Sequence, residues 1–125
     1  MTAEGCCGGG ETLIFTCAGA AHSGQVANRA GVQAMQQGLG HLFCTAAVAA
    51  GVADKLERAR AAAIRVAIDG CDDHCCRKTL EKAGLAVDAH VVATDMGIQK
   101  KPDRPDMIGD ARKVVDRVRA LVVGE

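Results

Sequence analysis

Four short apolar segments recur along the chain, at residues 12–17, 41–47, 64–69 and 88–94. Each has the length of a strand, and a continuous apolar run suits a strand buried on both faces of a sheet. Between them lie stretches with helical spacing and helix-end signals. Ser23 is placed to cap a helix running to Gln37, with Gly38 and Gly40 as stop signals. Asp54 is placed to cap a charged helix over 55–62, and Asp72 or Asp73 a third that ends at Gly84. A loop over 99–104, with Pro102 and Pro105 around its end, precedes the last helix. There Met107, Ala111, Val114, Val115, Val118, Leu121 and Val122 recur at helical spacing.

Four successive strand–helix units predict an α/β fold: one three-layer domain with a four-stranded parallel sheet, Rossmann- or flavodoxin-like. The expected strand order is 2-1-3-4. Ligands of such sheets bind outside the carboxyl ends of the strands, where the order reverses. The Gly-rich residues 1–11 read as a flexible arm ahead of a domain spanning 12–125. No internal repeat or linker divides the chain.

Composition narrows the function classes. With two Phe and no Tyr or Trp, the core is built from small side chains, and the aromatic platforms on which bases stack are missing. Fifteen basic and fifteen acidic residues leave no net charge to draw nucleic acid or an anionic membrane. The first ten residues lack the basic-then-apolar pattern of a secretory signal. The weakly polar run 42–53 is too short to cross a bilayer. A cytoplasmic location is expected.

Cysteine is the feature left to explain. There are seven: Cys6, Cys7, Cys17, Cys44, Cys71, Cys75 and Cys76. In a reducing compartment an odd number reads as metal binding or thiol chemistry rather than a disulfide framework. On the expected fold, Cys17 ends strand one and Cys44 lies in strand two or near its exit. Cys71 follows strand three, and Cys75 and Cys76 open the next helix. All five come to the carboxyl edge of the sheet. The spacing Cys71-x-x-x-Cys75 puts both sulfurs on one side of a helical first turn, whose N–H groups favour thiolates. Four thiolates in a tetrahedron favour zinc. Cys76 points to another helical face and is expected to pack or stay free. Cys44, between Phe43 and Thr45, reads equally as a small buried hydrophobe.

The stretch Ile68-Asp69-Gly70-Cys71 resembles the motif of the DGC-domain family. So do Leu13 to Gly19, Ser23-Gly24, Val26 to Ala30, Lys78 to Gly84, Thr94-Asp95 and Gly97 to Lys101. The resemblance covers nearly the whole chain. It implies a zinc ion held by Cys17, Cys44, Cys71 and Cys75, with His74 and Cys76 as alternative ligands beside Cys75. Asp69 and His22 are candidates to support the ligands from behind, with Asp95 near the same edge. A loop histidine exposed to solvent is the plain alternative for His22. His41 and His90 are expected at the opposite edge, away from the site. Lys100 and Lys101 read as a solvated loop.

Two classes of function follow. One is a metal or metalloid binding protein for storage, delivery or sensing, with Cys6 and Cys7 as hand-over thiols to an exchange partner. The other is a thiol-dependent redox enzyme or transferase using Cys17 or Cys71 as nucleophile, with the arm as resolving thiol. The glycine spacing of Gly19 to Gly24 matches a phosphate loop, but Gln25 and Val26 stand where Lys and Ser or Thr are required. A cysteine phosphatase loop lacks its closing arginine.

Overall fold

The computed structural model describes residues 10–124, so Cys6 and Cys7 lie outside the described residues. Its sheet is parallel and ordered β2-β1-β3-β4. β1 (Thr12–Thr16) pairs with β3 (Ile64–Asp69) along its whole length, Thr12 opposite Ile64 and Thr16 opposite Ile68. The short β2 (His41–Leu42) flanks β1, and β4 (Ala89–Val92) flanks β3. The expected fold class and strand order are those observed.

Alternation along the strands divides the core into two layers. Ile14, Val66, Ile68 and Val91 face α1 (His22–Gln36) and α5 (Met107–Val122). Leu13, Phe15 and Ala67 face α2 (Thr45–Ala50), α3 (Ala53–Ala61) and α4 (Cys75–Lys82). Leu13, Ile14 and Phe15 are fully buried, each contributing roughly 1.5–3 kcal/mol of transfer free energy. Small residues let α1 approach closely: Ala27, Ala30 and Ala34 are buried against the sheet. A Cβ on Gly31 would lie 2.7 Å from Thr16 Cγ2 and 2.8 Å from Leu42 Cδ1, so this mid-helix glycine is a packing contact.

Several boundaries differ from the sequence reading, each for a local reason. The strand expected at 41–47 stops at Leu42, and the chain turns at Cys44 into α2. Thr45-Ala-Ala-Val-Ala-Ala50 is an apolar run of mostly alanine, the strongest helix former, and it coils. The strand expected at 88–94 ends at Val92 and tightens into one 3-10 turn, Ala93–Met96. Thr94 N–H turns aside to bond the Gly70 carbonyl at 3.2 Å.

Three expected caps are also corrected. α1 begins after Ala21, and Ser23 lies inside it with a buried Oγ that has no partner among the described residues. α3 begins after Val52, so Asp54 sits in its first turn. Neither Asp72 nor Asp73 caps α4, whose cap residue is His74 in a left-handed conformation. At the other end of β1, Glu11 is fastened by Arg58 at 2.6 and 2.8 Å and by its carbonyl, which accepts Ala63 N–H at 2.9 Å.

Candidate functional site

The carboxyl edge of the two central strands carries the chemistry. Cys17 follows β1, and its backbone N–H prolongs the ladder to the Ile68 carbonyl at 3.1 Å. Its half-buried Sγ accepts the N–H of Gly70 at 3.3 Å. Burial pushes the Cys17 thiol above its ordinary pKa of 9.0; the amides of Gly19 and Gly70 pull it down, and negative charge on Asp69 and Cys75 raises it again.

Cys44 is exposed at the start of α2, its Sγ accepting Ala47 N–H at 3.3 Å. The next residue brings α2 to α4, with Thr45 Oγ1 4.0 Å from Cys76 Sγ. Cys71 is half-buried and Cys75 exposed. Cys76 turns inward and is fully buried. Its thiol is pushed up to about 12, first by burial and then by the charge on Asp69.

Asp69 organises this edge. It is 1% exposed, and its Oδ1 accepts the N–H of Cys76 at 2.7 Å. Its Oδ2 accepts the N–H of Arg77 at 3.2 Å and faces His90 Nε2 at 2.8 Å. The carboxylate therefore caps α4 from the end of β3, replacing the cap expected from Asp72 or Asp73. His90 is here too, contrary to its expected place at the opposite edge. β4 pairs with the last four residues of β3, Ala67 opposite His90, which carries His90 up to Asp69. Arg77 Nη1 lies 3.3 Å from His90 Nδ1. Arginine can only donate, so Nδ1 accepts and Nε2 carries the proton given to Asp69. The His74 ring meets His90 edge-on, centroids 4.9 Å apart.

The two non-glycine residues with positive φ among the described residues are Ala18 at 50° and His74 at 55°. One follows Cys17 and the other precedes Cys75, the placing expected where strain serves a site.

His22 departs from both of its sequence readings. Its side chain is 7% exposed, and Nε2 bonds Asp110 Oδ2 of α5 at 2.9 Å. That contact faces the other layer, and Nδ1 is buried without a partner among the described residues. Lys100 belongs to the edge through its carbonyl, which accepts Ser23 N–H at 3.3 Å, and its Nζ lies 3.9 Å from Asp73. An α1 amide that a phosphate would need is therefore already bonded.

Residues 13–118 match the DGC domain. The chain belongs to the DGC domain family. A relative, the Anaerobic and virulence modulator AnvM of Pseudomonas aeruginosa, is 26% identical over 113 residues, covering 90% of this chain and 86% of that protein. No solved structure matches the chain.

Each residue of the DGC motif has a separate physical task. Asp69 caps α4. Gly70 gives its N–H to Cys17 and packs where no side chain fits: a Cβ would lie 2.6 Å from Gly24 N and 2.7 Å from Ser23 C. Gly24 in turn abuts Gly19, its added Cβ 2.6 Å from Gly19 Cα, so these glycines serve close backbone contact rather than a phosphate cradle. Cys71 follows at the mouth of the edge. The chemistry of this donor set, soft sulfur beside amide donors, suits a thiophilic ion. Among the described residues no group of three or more Cys, His, Asp or Glu stands arranged to hold a metal ion, so the four cysteines reach this edge without forming a metal cage. Nor is any described helix long and apolar enough to cross a membrane.

Proposed function

We propose that this DGC domain binds zinc, or another soft metal or metalloid, through Cys17, Cys44, Cys71 and Cys75 in the cytoplasm. The observation that carries the reading is the setting of Cys17: its half-buried sulfur accepts the N–H of Gly70 at 3.3 Å, the residue directly ahead of Cys71. Exposed Cys44, the cap residue of α2, and exposed Cys75, the first residue of α4, swing inward on binding, while half-buried Cys71 closes the set. Binding thus orders the edge without creating the domain. A site that closes on its ion suits sensing or delivery better than static storage, and the relative's name, a modulator, leans the same way. Cys6 and Cys7 act as hand-over thiols to an exchange partner. Use of Cys17 as a resting nucleophile is disfavoured, because burial leaves it mostly protonated near neutral pH.

The test is metal analysis of the full chain purified without chelator, with Cys71→Ser and Cys75→Ser alongside. About one equivalent of zinc in the parent, lost from both variants with circular dichroism unchanged, is expected. Full zinc retention by both variants would falsify the four-cysteine site.

A further inference from the structure

Beyond the sulfurs, the edge contains a contact that neither the motif nor the family match assigns. His90 comes from β4, the strand that supplies no cysteine, yet it reaches Asp69 Oδ2 at 2.8 Å. Its other nitrogen is held by Arg77 at 3.3 Å, and its ring is flanked edge-on by His74. Asp69 is 1% exposed and grips the N–H groups of Cys76 and Arg77. A buried carboxylate that already accepts one amide on each oxygen is held more firmly in its orientation when a further lone pair is also satisfied. His90 supplies that donor, and its side chain is itself only 12% exposed. Arg77 both donates its backbone N–H to Asp69 and fixes the His90 tautomer, so the ring closes on itself.

We propose that His90 is the positioning residue of the cysteine edge: through Asp69 it fixes the first turn of α4, and hence the place of Cys75 relative to Cys17. For its consequence in metal capture this rests on the four-cysteine reading; for the geometry of α4 it does not. Outer partners that orient a ligand typically change metal affinity about 10–100-fold. Gln can present an amide N–H where His90 Nε2 stands, whereas Leu fills the space and presents none.

The test compares the full-length parent with His90→Leu and His90→Gln. Amide hydrogen exchange of Cys76 and Arg77 in the metal-free proteins is expected to quicken about tenfold or more in His90→Leu. The amides of Ile14 and Phe15 should keep parental protection, and His90→Gln should restore slow exchange at α4. Zinc affinity, read by chelator competition, is expected to fall about tenfold or more in His90→Leu and largely recover in His90→Gln. Unchanged exchange at Cys76 and Arg77 overturns the proposal, as does equal quickening at Ile14 and Phe15. Quickened exchange with unaltered zinc affinity overturns it too, since His90 then serves stability alone. A parent that binds no zinc sinks the four-cysteine reading, and the exchange comparison alone then decides the role of His90.

Discussion

The carboxylate of Asp69, at the end of β3, accepts the backbone N–H of Cys76, in the first turn of α4, at 2.7 Å. The six residues between them, 70–75, are thereby closed into a loop that carries Cys71 and Cys75. The aspartate is a helix cap supplied by the preceding strand, so helix and strand cannot separate without exposing an unsatisfied buried charge.

Removing that cap should be costly. Asp69→Ala leaves the amides of Cys76 and Arg77 and the His90 donor without their acceptor, an expected loss of about 3 kcal/mol. Asp69→Asn keeps one acceptor oxygen and should lose roughly half as much. Urea midpoints of the metal-free proteins measure both, and a loss below about 1 kcal/mol for Asp69→Ala refutes the capping account.

How far the sequence revealed this edge depends on whether the information was local. Strand order followed from four apolar runs and the right-handed crossover rule, and both are properties of chain segments. The placement of Cys17, Cys71 and Cys75 followed from strand ends. What was illegible was set by tertiary register. Asp72 and Asp73 stand at the expected spacing for a cap, yet the cap comes from Asp69, which no local rule singles out. His90 lies one residue into β4, but β4 starts level with Val66, two residues into β3, and is carried to the carboxyl edge. Residues 45–47 read as the end of a strand, whereas the alanines of 45–50 favour the helix that forms there.

Gly70 should tolerate no side chain. An alanine Cβ there would meet backbone atoms of Gly24 and Ser23 at 2.6–2.7 Å, and backbone cannot step aside. Gly70→Ala should lose about 2–3 kcal/mol. Gly19→Ala is the contrast, because its Cβ would meet Gly24 Cα at 3.7 Å and Cys17 Sγ at 3.8 Å, both ordinary contacts. It should cost less than about 1 kcal/mol, and equal losses in thermal denaturation would contradict the packing argument.

Ala18 offers the opposite sign. It is exposed and holds φ at 50°, a conformation that costs an L-residue about 1 kcal/mol and glycine almost nothing. Ala18→Gly should therefore stabilise the fold by about 0.5 kcal/mol after glycine's extra unfolded-state entropy is subtracted. A fall in the urea midpoint would show that the turn carries no strain.

Alkaline pH should unfold the metal-free protein through Cys76. Its folded pKa of about 12 lies above the ordinary 9.0, so the fold favours the neutral thiol. That contribution is complete below pH 9.0 and is lost as pH rises toward about 12. At pH 10.5 the loss should reach about 2 kcal/mol, from ~1.4 kcal/mol per pKa unit. Cys76→Ala should flatten the slope between pH 8.5 and 10.5, at the cost of a small cavity. An unchanged slope in that variant would assign the alkaline limb to another group.

Metal removal should leave the fold standing. The core layer between the sheet, α1 and α5 is built from Ile14, Val66, Ile68, Val114, Val115 and Val118, none of them a metal donor. The opposite layer takes in Phe15, Val48 and Leu80, and its one buried cysteine is Cys76, outside the proposed ligand set. Of the four proposed ligands only Cys17 touches either layer, and it does so from the edge. Stability from metal thus adds to a complete core, unlike a zinc finger, whose core exists only with its ion. Excess chelator should leave far-ultraviolet circular dichroism unchanged. It should lower the urea midpoint by an amount that grows with the logarithm of the free zinc concentration removed. Among the five described cysteines, thiol titration should then find Cys44 and Cys75 reacting first, since both are exposed, and Cys76 reacting only on unfolding. Collapse of the helical signal on chelation would mean that the ion is part of the core and that this division of labour is wrong.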